Sequence, residues 1–166
     1  MPRKSHPFWL FSLRVYAQSG VEQACLALQE AGADVNLLLF CCWQGSEGIS
    51  LNKAALRKAI QLVAAWQRQV VQPLRQARRT SKQELPGIAS ELCISLSRRV
   101  AKVELDAEYL EQLLLAQHGL AASPGKAKTN PEIIAAENLR RYLELLGIPL
   151  PDALNRHAQA LLRASA

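Results

Sequence analysis

A chain of 166 residues, 49% of them hydrophobic, with 20 lysines and arginines against 14 acids and a net charge of +6, buries roughly 70% of the surface its unfolded form exposes. A core therefore forms without disulfide or metal staples. Alanine, leucine, glutamine, glutamate and arginine dominate and β-branched residues are scarce and never run beyond a pair, which excludes a disordered chain and predicts an all-α fold.

The opening MPRKSHPFWLFSLRVYAQSG runs from basic residues into an apolar stretch and so mimics a secretory signal, but Arg14 and Gln18 interrupt it and no small-residue cleavage site follows. It reads instead as a first helix on Phe8, Leu10, Phe11, Leu13, Val15 and Tyr16, stopping near Ser19-Gly20. Val21, Ala24, Cys25 and Leu28 line a second helix that ends at EAGAD, where Gly32 suits the left-handed cap. Asp34 then stands where its carboxylate accepts from the first unpaired N–H groups of a third helix. From Leu37 to Trp43 that helix is apolar on every side, and a helix without a polar stripe must be surrounded by others. Its seven uninterrupted apolar residues fall far short of the roughly 20 that span a bilayer.

Gln44 to Gly48 closes this central helix, Asn52 caps a long fourth one, and Pro73 is expected to kink or split it. After the break SKQELPGIAS, a helical stretch to about Gln117 takes Leu92, Leu96, Val100, Val103, Tyr109, Leu110, Leu113 and Leu114 as its apolar positions. GLAASPGKAKT is a polar loop, Asn130-Pro131-Glu132 opens a helix that closes at Gly147, and the tail adds a short last helix. The expectation is one compact domain, 1–166, of about six or seven helices around a buried central helix. Residues 1–7 and 160–166 are termini able to fray, and 120–130 is an exposed loop.

Phe8-Trp9, Phe11-Ser12-Leu13, Val15-Tyr16, the ACLALQ stretch from Ala24 to Gln29, and Asp34 to Cys41 with Trp43 resemble a family of small conserved proteobacterial proteins of unknown function. The likeness continues more thinly to about residue 146. It implies no activity, because none attaches to that family.

Little in the sequence carries chemistry of its own. Cys25, Cys41, Cys42 and Cys93 form no CxxC pair and read as reduced core residues of a cytoplasmic protein. No metal, cofactor or membrane contact is expected, and the homo-oligomeric state stays open. GSEGIS lacks the spacing of a phosphate loop. His6, His118 and His157 are far apart and read as surface residues. Glu104, Asp106, Glu108 and Glu111 come nearest to the aspartate-rich motifs of helical isoprenoid synthases, but only Glu104, Glu108 and Glu111 share a face, which reads as solvated. Asn36 is the harder residue, since an unpaired amide inside an apolar helix costs about 1–3 kcal/mol. Either it joins Asp34 in capping, or Asp34, Asn36, Arg14 and Tyr16 line a small polar pocket.

Charge is the strongest asymmetry. Between Glu47 and Glu84 there is no acid, while Lys53, Arg57, Lys58, Arg68, Arg75, Arg78, Arg79 and Lys82 supply eight positive charges, leaving 12 bases against 14 acids elsewhere. On a helix all but Lys58 fall in a sector roughly 100° wide, opposite Leu56, Ala59, Val63, Trp66 and Val70. Such a stripe is a solvated face partly matched by the acids Glu104 to Glu111, a contact for an acidic protein, or a nucleic-acid or ribosomal surface, the last short of aromatics for stacking. The expected function is a non-enzymatic binding or adaptor role, with Arg68, Arg75, Arg78, Arg79 and Lys82 turned toward an acidic protein surface. The alternative is a small-molecule binder or enzyme with its pocket near Asp34 and Asn36. A cavity reaching Asn36 favours the pocket, whereas exposed arginines over a closed core favour the adaptor.

Overall fold

The computed structural model describes residues 4–83, 87–117, 130–149 and 151–166. Among these there are eight α-helices and no strand: α1 (Pro7–Tyr16), α2 (Val21–Glu30), α3 (Val35–Ser46), α4 (Lys53–Trp66), α5 (Gln72–Thr80), α6 (Ser90–Gln117), α7 (Pro131–Leu145) and α8 (Asp152–Ser165). A single π turn, Gln67–Val71, joins α4 to α5 as one rod, so the helical rods number seven. No helix is long and apolar enough to cross a membrane among the described residues.

The caps explain where the helices begin. His6 Nδ1 accepts from the Phe8 N–H at 3.2 Å, and Pro7 sits where no donor is needed. Gly20 and Gly32, at φ 82° and 105°, take the left-handed conformation on either side of α2. Asp34 Oδ1 accepts from the N–H groups of Asn36 (2.8 Å) and Leu37 (3.4 Å) and opens α3. Asn52 caps α4 through Ala55 N–H (2.8 Å), and Asn130 caps α7 through Glu132 N–H (2.9 Å).

The central helix is α3, whose Leu37 to Cys42 are all buried. Phe8 of α1 stacks on Trp43 with ring centroids 4.8 Å apart. The tightest packing is α3 on α7: Gly45 lies directly against the backbone of Ala135, and Asn138 donates to Cys41 O (3.3 Å) and Ile49 O (2.9 Å) while accepting from Leu51 N–H (2.7 Å). Asn138 thus ties the turn after α3 to the middle of α7. All four cysteines are free and buried.

The expected break near Pro73 takes the form of a π turn just before it, in which the Gln72 N–H reaches back to Gln67 O and the backbone widens to take the ring, dividing the helix into α4 and α5. The difference from expectation is α6. Leu92, Leu96 and Val103 are 65%, 51% and 52% exposed, and Leu110 is exposed too. The buried side of α6 carries Cys93, Ser97, Glu104, Ala107, Tyr109, Glu111, Gln112 and Leu115. Polar groups on α3, the π turn and α5 wait for that side, and buried polar groups must be paired, so hydrogen bonding rather than apolar burial orients this helix.

α8 is a full helix of 14 residues packed on α2, with Ala158, Leu161 and Ser165 buried. Of the expected loop only residue 130 lies among the described residues, and His118 lies outside them.

Candidate functional site

The polar side of α6 meets the polar entrance of α3. Asn36 donates from Nδ2 to Glu111 Oε2 (2.9 Å) and accepts at Oδ1 from Gln112 Nε2 (2.9 Å), whose own Oε1 accepts from Ser12 Oγ (3.1 Å). Gln67, at the start of the π turn, donates from Nε2 to both Glu111 oxygens at 3.4 and 3.3 Å. The buried Glu111 carboxyl of α6 is thus held from α3 and from the π turn, and α1 joins the network through Gln112. Gln67 Oε1 is the buried side-chain polar atom left without a partner among the described residues.

Glu111 also lies within hydrogen-bond reach of Asp34. Two carboxyls this close and this buried do not both ionise. Burial first, and the Asp34 charge second, push Glu111 up to about 9, so at neutral pH it keeps its proton. Burial raises Asp34 as well, opposed by the Glu111 hydrogen bond, the Asn36 and Leu37 N–H groups and the Arg75 charge. The Tyr142 hydroxyl accepts from the Asp34 N–H at 2.9 Å, and burial drives this phenol far above the ordinary range. Burial likewise pushes the Cys25 thiol up to about 11 and Cys42 up to about 12, and raises Cys41, which makes all three poor nucleophiles.

Beside this network the basic rod turns two arginines inward. The Arg75 side chain is only 13% exposed; its Nη2 donates to Glu108 Oε1 at 2.5 Å and its Nε lies 3.4 Å from Glu104 Oε1. Arg78 grips Glu104 with both arms of its guanidinium, Nε to Oε2 at 2.5 Å and Nη2 to Oε1 at 3.2 Å. Burial raises Glu108 against the pull of Arg75. The acids expected on a solvated face are thus inside: Glu104 and Glu111 are buried and Glu108 is half-buried. They lie there because they neutralise Arg75 and Arg78 and bond Asn36 and Gln67.

Two open cavities flank this wall. The first, about 500 Å³, reaches Asn36, Gln112 and Ser12, with Arg75, Arg78, Glu104 and Glu108 also lining it; exposed Leu13, Tyr16, Leu26 and Leu105 and buried Trp9 complete its lining. The second, about 510 Å³, is lined by Asp34, Gln67, Arg68, Arg75, Arg79 and Tyr142 against Leu37, Ile60 and Val63. Arg75 belongs to both.

The structure redistributes the residues singled out from sequence. Asn36 and Tyr16 share the first cavity with Arg75, Arg78 and Lys82, while Asp34 caps α3 and faces the second with Arg68 and Arg79. Arg14 lines neither; its guanidinium lies 5.4 Å from the Phe11 ring centroid. Glu111, Gln112, Gln67 and Ser12 were missed. A signal for Glu111 exists in the spacing Ser97, Glu104, Glu111, one polar residue every seven positions along one side of α6. Among the described residues no group of three or more histidine, cysteine or acidic side chains is arranged to hold a metal.

No curated protein and no solved structure matches this chain. One family does, over residues 7–115, a span that contains every member of the polar network except Tyr142. The chain belongs to the family described as "Protein of unknown function (DUF2390)".

Proposed function

We propose that this chain is a non-enzymatic binding protein that takes a small amphipathic acid into the cavity reaching Asn36. The observation that carries this reading is the cavity itself: about 500 Å³ falls within the range of small-molecule sites, roughly 300–1,000 Å³. Its lining also suits such a ligand. Trp9, Leu13, Leu26, Leu39 and Leu105 receive an apolar body, Asn36 and Gln112 offer amides, and Lys82 and Arg98 attract an acid. The neutralised pairs of Arg75 and Arg78 with Glu104 and Glu108 fix the shape of the floor without spending surface charge.

Calorimetric titration with decanoate tests it. Wild type is expected to bind about one equivalent, and Ala101→Trp, which fills the cavity from a half-buried lining position, is expected to lose that binding while melting like wild type. Equal binding by both proteins overturns the reading.

A second reading, a basic face toward an acidic protein, is supported by Arg68, Arg79 and Lys82, which stay exposed while Arg75 and Arg78 turn inward. A nucleic-acid or ribosomal contact would use the same three cations. Nuclease treatment of a pull-down separates the two, since only a protein complex survives it. The four buried free cysteines support a cytoplasmic setting for either reading.

A further inference from the structure

We propose that the second cavity is a docking groove for an extended acidic segment of a partner protein, two carboxylates about five residues apart with one apolar side chain beyond one of them. The proposal rests on the second reading above and adds to it the place, the backbone form and the side-chain pattern of the partner.

Charge complementarity and spacing carry it. Arg68 and Arg79 are both exposed and both line this cavity. Eleven residues separate them on one rod, a distance of about 16 Å at 1.5 Å per residue. An extended segment covers that in roughly five residues, so carboxylates at its two ends reach the two guanidinium groups. Beyond Arg68 the rod itself turns apolar with Ile60 and Val63, which line the cavity together with Leu37 of α3, and this end takes one aliphatic or aromatic side chain. Exposed Gln72 and Gln76 stand along the rod between the arginines, where side-chain amides meet a peptide backbone.

The acids nearby set the orientation. Asp34 is engaged by the N–H groups of Asn36 and Leu37, and Arg75 is held by Glu104 and Glu108. Glu30, exposed on the opposite rim, repels a carboxylate, so the acidic edge of the partner lies against the rod. A compact anion would engage one arginine only; the separation of the two cations along the rod selects an elongated ligand.

Fluorescence anisotropy with an array of short peptides tests the inference, each peptide carrying two glutamates about five positions apart and one leucine, isoleucine or phenylalanine about two or three positions beyond one of them, with polyglutamate as comparator. Wild type is expected to bind some array members more tightly than polyglutamate. Ala64→Trp and Gln72→Trp fill the groove from exposed positions; each should weaken those peptides by about tenfold or more and leave polyglutamate binding in place. The double variant Arg68→Gln, Arg79→Gln should weaken both probes, and Glu30→Gln should tighten the peptides. If no peptide exceeds polyglutamate, or if both tryptophan variants melt like wild type and still bind the peptides fully, the groove is wrong while the acidic-partner reading stands. If wild type retains neither probe, or the double variant retains both, that reading falls too.

Discussion

Asn36 donates from Nδ2 to Glu111 Oε2 at 2.9 Å, across 75 positions of sequence, and this bond joins the first turn of the central helix to the buried side of α6. Removing it by Asn36→Ala leaves Glu111 and the Gln112 amide each short of a partner in a dry interior. A loss of about 2–3 kcal/mol in urea unfolding is expected, the cost of stranding buried polar groups. A loss below about 0.5 kcal/mol would mean that water reaches the network in place of the amide.

The proton on Glu111 makes stability depend on pH. Its folded value is raised, from the usual 4.5 to about 9, so between these limits the folded protein holds a proton that the unfolded chain releases. The stabilisation is complete below about 4.5, declines as pH rises and is gone above about 9, at no more than about 1.4 kcal/mol per pH unit from this one group. Asp34, also raised, contributes with the same sign. Glu111→Gln keeps the shape and removes the titration. Its unfolding free energy relative to wild type is expected to rise steadily from pH 5 to pH 8, and parallel pH profiles of the two proteins would contradict the proton held on Glu111.

Arg75 and Arg79 lie four residues apart on the same basic rod, yet their replacements should behave differently. Arg75→Met leaves Glu108 without its buried partner and Glu104 with Arg78 alone and is expected to cost about 3–5 kcal/mol. Arg79→Gln changes an exposed side chain and should stay within about 0.5 kcal/mol of wild type. Thermal and chemical denaturation of the pair decide whether the stripe is half interior.

The close approach of α3 to α7 is equally open to test. A Cβ at Gly45 would fall on the Cα and N of Ala135, with no flexible side chain there to yield. Gly45→Ala is therefore expected to lower stability by about 1–3 kcal/mol despite the better helix propensity of alanine. Stabilisation by Gly45→Ala would show that the two helices pack further apart.

How much of this was readable beforehand differs from element to element. The caps at Asp34, Asn52 and Asn130 and the all-round burial of Leu37 to Cys42 follow from local chemistry, since a cap and an apolar run are complete within a few residues. The side of α6 that turns inward was not readable from its leucines. Its orientation is set by partners 26 to 76 positions away, Arg78 for Glu104 and Asn36 for Gln112, and no local pattern contains them. The basic stripe was visible as a stripe, but its division into an inward half at Arg75 and Arg78 and an outward half at Arg68 and Arg79 depends on the same long-range pairs. The cavities are spaces between elements, so only the assembled helices define them.

The cavity reaching Asn36 is tested most directly by the side-chain amide resonances of Asn36 and Gln112 during titration with decanoate. Both lie in the cavity lining and bond to each other at 2.9 Å, so a bound acid must disturb them together. Saturable shifts of both amides, with the same midpoint as the calorimetric binding and absent in Ala101→Trp, are the expected result. Amides that stay in place while decanoate binds, or shift only along with the residues of the second cavity, would contradict the account.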